Sequence, residues 1–254
     1  MLQYACILKE EDADVAYQAV FKRYELKYLL TDAQLRHVLE AMEPYMQLDA
    51  YGDSVIRNLY FDTADYRLIR HSIEKPIYKE KLRIRSYHRA VENVPVYVEL
   101  KKKYKHVVYK RRLQMPEEKA LQWVQGGPAP ESSQIAREID YFRQFYPGLR
   151  PTVYLSYHRL AYYDKEGSSF RVTFDTKIRA RQTGLSLNSS HADGVLLLPE
   201  DMTLMELKCA GAMPLWMART LSRHKIYKTS FSKYGTAYTK LIFPEIKEVL
   251  FHAE

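Results

Sequence analysis

The stretch Tyr78-Lys79-Glu80-Lys81-Leu82-Arg83-Ile84-Arg85-Ser86-Tyr87 decides how this chain folds. Side chains of a β-strand alternate between two faces, so Lys79, Lys81, Arg83 and Arg85 share one face and Leu82 and Ile84 share the other. An apolar face packs on a core. Four cations in a row repel one another unless something anionic lies against them. The pattern predicts a strand that carries one wall of an anion site. A solvated basic face, or a sheet that grips nucleic acid, is the competing reading.

The device repeats downstream. In Val96-Tyr97-Val98-Glu99-Leu100-Lys101-Lys102-Lys103, alternation places Tyr97, Glu99, Lys101 and Lys103 together. After a turn at 104–106, Val107 to Arg112 places Lys110 with Arg112. From Lys79 to Arg112 there are 12 Lys or Arg against 3 Asp or Glu, a local excess of +9 in a chain whose net charge is +8. Nearly all the excess positive charge therefore lies in these three strands.

Working outward, Val20–Leu29 reads as a first strand with Phe21, Arg23, Glu25 and Lys27 on one face. Thr31-Asp32 caps a helix to about Tyr45, with Leu35, Val38, Leu39 and Met42 as its apolar stripe. Val55–Asp62 is a strand, and a short helix follows from Thr63 to about Ser72. Pro116 opens a helix that ends at Gly126-Gly127, and a second runs from Ser133 to Tyr146, with Ile135, Ile139, Phe142 and Phe145 at helical spacing. Strands return at Thr152–Tyr162 and Phe170–Asp175, with Gly167 in the turn between them. Arg181–Pro199 is polar and reads as a loop. Thr203–Lys208 is an eighth strand, Pro214–Arg223 a helix, and Ser230–Gly235 a loop that starts a final helix.

With 254 residues, 46% hydrophobic and 28% charged, the chain is expected to be a single domain over 1–254, its core about 19–240. No window approaches the roughly 20 apolar residues of a membrane helix. The acidic N-terminus is no signal peptide, and Cys6 and Cys209 are too few for a disulfide framework. A cytoplasmic protein is expected. The eight His show no metal-ligand spacing.

Nearly all of the eight strands present charge on one face. Alternation does not fix the topology, but if the strands close into one α+β fold, an eight-stranded antiparallel β-barrel with flanking helices, the charges line its interior. Bare charge in a closed barrel is prohibitively costly, so the lumen is expected to hold water and an anion. Lys27, Lys81, Arg83, Arg85, Lys101, Lys103, Lys110, Arg112, Arg159, Arg171 and Lys208 are the candidate cations. Glu25, Glu99 and Glu206 are odd in a simple anion binder and make sense as oxygen ligands for Mg²⁺ or Mn²⁺. Those carboxylates also argue against nucleic acid, whose backbone they would repel. Asp62 and Asp175 each end a strand. Asp62 reads as a cap, and both readings stay open for Asp175.

Arg23-Tyr-Glu25-Leu-Lys27-Tyr, Tyr60-Phe-Asp62, Lys79-Glu-Lys81-Leu-Arg83-Ile-Arg85, Glu99-Leu-Lys101-Lys, Lys110-Arg-Arg, Arg171-Val-Thr-Phe-Asp175, Met205-Glu206-Leu-Lys208 and Ser230-Phe-Ser232-Lys233-Tyr together resemble the VTC domain. This is the polyphosphate polymerase domain of the vacuolar transporter chaperone family, within the triphosphate tunnel metalloenzymes. The resemblance covers about Ala19 to Tyr238. It implies an antiparallel tunnel that takes ATP and polyphosphate or triphosphate and uses a divalent metal. It makes Lys27, Arg83, Arg85, Lys101, Lys110, Arg159 and Arg171 the basic catalytic positions, Ser232 and Lys233 a phosphate-contacting pair, and Glu206 the metal ligand, with Glu25 and Glu99 as further acidic positions. It implies a polyphosphate polymerase. A tripolyphosphatase or nucleoside triphosphatase, and a non-catalytic polyphosphate-binding or RNA-binding module, are the alternatives. The sequence departs from the eukaryotic members in having no SPX-like segment before the domain and no membrane helices after it, which leaves a membrane-protein partner open.

Overall fold

Thr31 opens the first helix as expected: its side chain accepts from the Gln34 amide while the Gln34 side chain accepts from the Thr31 amide, a reciprocal cap. A computed structural model of the protein describes residues 24–91, 94–105, 107–190 and 192–251. Phe21 and Arg23, like Cys6, lie outside the described residues. The elements in order are β1 (Tyr24–Thr31), α1 (Asp32–Met42), β2 (Met46–Leu48), β3 (Ser54–Asp62), α2 (Arg67–Ile73), β4 (Tyr78–Ser86), β5 (Val96–Tyr104), β6 (Val107–Met115), α3 (Glu117–Val124) and α4 (Gln134–Phe145). They continue with β7 (Arg150–Asp164), β8 (Arg171–Arg181), β9 (Val195–Leu196), β10 (Met202–Cys209), α5 (Leu215–Arg223), β11 (Lys228–Thr229), α6 (Lys233–Ala237), a π-helical turn (Tyr238–Ile242) and α7 (Phe243–Phe251).

The eight expected strands are the eight long ones, β1, β3 to β8 and β10. They form one antiparallel sheet in the order β11-β1-β10-β8-β7-β3-β4-β5-β6, with β2 on β7 and β9 on β8. Two expectations are corrected. The sheet has 11 strands, because β2, β9 and β11 are two or three residues long and too short for alternation to be read. Nor is it a closed barrel: β11 pairs with the outer edge of β1, Lys27 with Thr229 and Tyr28 with Lys228, and so takes the edge that β6 would need. The sheet still curls far enough for side chains to meet across the gap, since Lys101 Nζ of β5 lies 2.8 Å from Glu25 Oε2 of β1.

The outer face is apolar and covered by helices. Leu82, Ile84, Val96, Val98 and Leu100 are buried against Trp123 of α3 and Ile139 and Phe142 of α4. Tyr28, Val172, Phe174, Met205 and Leu207 pack with Val38 and Met42 of α1 and Met217 of α5. Each such buried side chain contributes about 1.5–3 kcal/mol, which offsets the ordering of a charged inner face. Phe145, expected in the apolar stripe of α4, is 51% exposed instead. Asp62 is structural as read. Buried under α2, its carboxylate accepts from the amides of Leu68 and Ile69 and from the Tyr234 hydroxyl. It thus caps a helix whose own N-cap residue, Tyr66, makes no side-chain cap. Burial pushes its pKa up despite those donors.

Candidate functional site

The inner face is assembled by strand register. Lys81 lies opposite Lys101, Arg83 opposite Glu99, and Lys79 opposite Lys103. On β6, Lys110 lies opposite Lys101 and Arg112 opposite Glu99. On the other wall Glu206 of β10 lies between Lys27 of β1 and Thr173 of β8, while Lys208 lies between Glu25 and Arg171.

Two acid-centred clusters form on this face. In the first, Glu99, 1% exposed, receives Arg83 Nη2 at 2.7 Å, Arg83 Nε at 2.8 Å and Lys110 Nζ at 2.6 Å, with Arg85 Nε at 3.8 Å. Burial alone would raise its pKa; Arg85, Arg83 and Lys110 together drive it well below the usual carboxylate range. Arg85 is held by Asn58 Oδ1 at 2.9 Å and by the Tyr157 hydroxyl at 3.1 Å. Arg83 also donates to the Tyr60 hydroxyl at 3.0 Å. That phenol is pushed down because Arg83 and Arg85 outweigh its burial.

In the second, Arg159 grips Asp175 with both prongs at 2.6 and 2.7 Å. Lys233 Nζ lies 2.5 Å from Asp175 Oδ2 and 3.3 Å from Glu206 Oε1. Lys27 at 3.6 Å, Arg159 at 3.7 Å and Lys208 at 3.9 Å complete the ring around Glu206. Burial works against ionisation of both acids, and the cations overcome it, so both pKa values are lowered. Tyr157 separates the two clusters, its ring carrying Arg159 at 5.0 Å and Lys233 at 4.6 Å.

Lys81 belongs to neither cluster. Among the described residues no carboxylate lies within salt-bridge reach of its Nζ, which donates to Ser232 Oγ at 3.2 Å and lies 5.8 Å from the Tyr234 ring centroid. Burial first, then Lys27, Lys79, Lys101 and Arg83, push its pKa down to about 7. Lys110 is pushed down to about 8 by burial and by both arginines, against Glu99. Ser232 is the N-cap of α6, accepting from the Gly235 amide. A Cβ at Gly235 would stand 3.2 Å from that Oγ, so the glycine lets Ser232 sit where Lys81 can reach it.

Most of the expected cations thus share one inner face. Lys103 lies at its edge beside Lys79, and Arg112 stacks on Tyr97 at 4.2 Å. Arg171 is the exception: 47% exposed at the end of β8, it pairs with Asp49 at 3.3 Å. The carboxylates expected to hold a metal are engaged by cations here. Glu25 is tied to Lys101, Glu99 is ringed by its own cations, and among the described residues no three acidic, His or Cys groups come close enough to hold an ion. The ammonium of Lys233 stands between Asp175 and Glu206, where a cation shared by two carboxylates would sit. The residues present do not make a metal centre; a divalent ion here would have to bring most of its oxygen ligands with it. Sequence reasoning left Asp175 open, named Lys79 only as part of the cationic row, and did not mark Tyr60 or Tyr157 as site residues. Alternation had already placed Asp175 on the face of Arg171 and Lys79 on that of Lys81; nothing marked the tyrosines.

A family model described as the VTC domain matches residues 22–242. The chain belongs to the VTC domain family. No curated protein matches it in sequence. Among solved structures, a candidate adenylate cyclase from Bacillus halodurans aligns with a TM-score of 0.51 at 15% identity, covering 83% of this chain and 95% of its own. A candidate adenylyl cyclase from Hippeastrum, reported with a dominant triphosphatase activity, aligns at 0.49 and 16% identity, covering 85% and 95%. At these identities the likeness is one of fold alone. Among the described residues of this VTC domain no helix is long and apolar enough to cross a membrane.

Proposed function

We propose that the chain is a polyphosphate polymerase that transfers the γ-phosphate of ATP to the end of a polyphosphate chain. Family membership supports the reading, and one observation carries it: the lumen holds more cations than its acids can neutralise, with Lys81 lacking a carboxylate among the described residues. A chain of phosphates supplies the missing charge along the row Lys79, Lys81, Arg83. Lys81, Lys101 and Lys27 bind non-bridging oxygens, and Arg83 and Arg85, fixed by Glu99, Tyr60 and Asn58, orient them. An oxygen of the acceptor's terminal phosphate attacks the γ-phosphorus in line, the bond to the β-phosphate oxygen breaks, and ADP leaves. Fixed cations compensate the charge on transferring and leaving oxygens without reorganising. All four lumen carboxylates have lowered pKa values and are poor bases. An acceptor that is already an anion needs none.

The test is to incubate the protein with ATP, with Mg²⁺ or Mn²⁺ and with chelator, and separate the products by gel electrophoresis. A ladder of polyphosphate with ADP is expected, and Lys81→Ala should abolish it. Free phosphate alone would replace the reading with a hydrolase. No turnover, with tripolyphosphate still raising the melting temperature, would leave a binding module.

A further inference from the structure

At the end of the sheet where β7 turns into β8, a cavity of about 480 Å³ is lined by Asp49, Tyr51, Tyr163, Ser168, Ser169 and Arg171. We propose that this cavity takes the nucleoside moiety of a nucleoside triphosphate whose phosphates run into the cationic lumen, an inference that rests on the tunnel reading above.

Register places the cavity on the right face. Tyr163 alternates with Arg159 along β7 and Arg171 with Asp175 along β8, and Arg159 and Asp175 pair inside the lumen. Arg171 also lies opposite Lys208, whose Nζ approaches Glu206. Two of its lining residues, Tyr163 and Arg171, therefore lie on the strand face that carries the lumen charges. Its volume lies within the roughly 300–1,000 Å³ of small-molecule sites.

The chemistry changes there. Arg171 is already matched to Asp49 at 3.3 Å, and the negative charge of that carboxylate disfavours another phosphate there. The surfaces offered instead are two phenol rings, Tyr51 at 74% and Tyr163 at 40% exposed, and the Ser168 and Ser169 hydroxyls in the turn. A nucleobase stacks on such rings whatever its edge, and ribose hydroxyls suit serine and carboxylate partners. The turn that carries Tyr51 is pinned: Asp49 Oδ1 accepts from the Tyr51 amide at 2.7 Å, and Gly52, at φ +55°, donates its amide to the Asp49 carbonyl.

A second observation points along the same line. Thr173, midway between Arg171 and Asp175 on β8, is 2% exposed, and its Oγ1 is buried with no hydrogen-bond partner among the described residues. An orphaned hydroxyl on this face is satisfied by an oxygen of a phosphate tail passing from the cavity toward Lys27 and Lys233. Arg171 to Asp175 spans about 13 Å at strand rise, within reach of a ribose-linked triphosphate.

The experiment is to measure affinities for ATP and for inorganic tripolyphosphate, without metal, in the native chain and in Tyr51→Ala, Tyr163→Ala and Thr173→Val. Both tyrosine variants should weaken ATP about tenfold, the scale of one lost base–aromatic stack, and leave tripolyphosphate unchanged. Thr173→Val should weaken both ligands. Equal losses for both ligands in the tyrosine variants would make the cavity part of the phosphate path and overturn the proposal, as would an ATP affinity that neither tyrosine affects. If the native chain binds neither ligand, the tunnel reading itself falls and this inference with it. Rings this exposed carry little folding energy, and unchanged tripolyphosphate binding reports that the variants are folded.

Discussion

The Glu99 cluster and the Asp175–Glu206 cluster solve one electrostatic problem in two ways. Glu99 is a single acid among Arg83, Arg85 and Lys110, drawn from three consecutive strands, and one of its partners, Lys110, is 37% exposed. Asp175 and Glu206 are two acids among Arg159, Lys233, Lys27 and Lys208, and the closest partners, Arg159 and Lys233, are 12% and 9% exposed. Each cluster carries a net formal charge of +2, but the first keeps part of its positive charge within reach of solvent and the second is more deeply enclosed. The difference separates a grip on an incoming anion from an anchor that holds far-apart segments together.

The largest expected effect tests that division. Glu99→Gln and Asp175→Asn each strand buried cations, and each should cost about 3–5 kcal/mol in denaturant unfolding. Millimolar tripolyphosphate should restore much of the loss in Glu99→Gln, where an anion can reach Lys110 and Arg83, and little of it in Asp175→Asn. Equal rescue of the two would erase the distinction.

Next in size is Lys81→Met. It removes a half-buried charge that has no acid beside it among the described residues, so the melting temperature without ligand should hold or rise while tripolyphosphate affinity falls tenfold or more. A lower melting temperature would make Lys81 a structural partner of Ser232.

The pH dependence sharpens the same contrast. Glu25, lowered to about 2, and Glu99, Asp175 and Glu206, also lowered, contribute stability that is present above about pH 4.5 and lost as the pH falls through their folded values. Lys81 and Lys110 work in the opposite sense. Their folded values, about 7 and about 8, lie below the ordinary 10.5, so the unfolded chain binds more protons in between, and stability rises as the pH rises from about 7 toward 10.5. Tripolyphosphate affinity should fall across that window. Calorimetric titrations from pH 6 to 10 would read both trends, and a flat affinity would remove Lys81 from the grip.

The smallest effect is expected for Tyr157→Phe, which loses the Arg85 hydrogen bond and keeps the ring under Arg159 and Lys233. About 1 kcal/mol of stability should go. Turnover that fell far more than affinity would show that Arg85 must be held in one orientation.

The first cluster was legible in the sequence and the second only in part, for a physical reason. Arg83, Arg85, Glu99 and Lys110 lie on three consecutive antiparallel strands, where period-two alternation fixes which side chains share a face. Lys233 reaches Asp175 from the start of a five-residue helix, and Lys27 reaches Glu206 across a long chain separation, so no local period relates them. Thr31, Ser133 and Pro116 announced their helices because a cap is a local event. Openness was not readable, since it turns on two residues of β11 that occupy an edge, nor was the isolation of Arg171, which alternation put on the correct face but which Asp49 holds at the rim.

The seam between β1 and β5–β6 has a consequence for the bore of the tunnel. In a closed barrel, strand number and shear fix the radius, and widening it breaks ladder hydrogen bonds. Here the two walls meet through side chains: Lys101 to Glu25, and Lys81 to the Ser232 loop that also receives Lys27 at the Phe231 carbonyl. Such contacts between partly exposed groups weaken with ionic strength and can part without disturbing the backbone. The calibre of the passage is thereby an electrostatic quantity, adjustable by salt and by the charge of whatever lies inside it, in a way that no hydrogen-bonded cylinder allows.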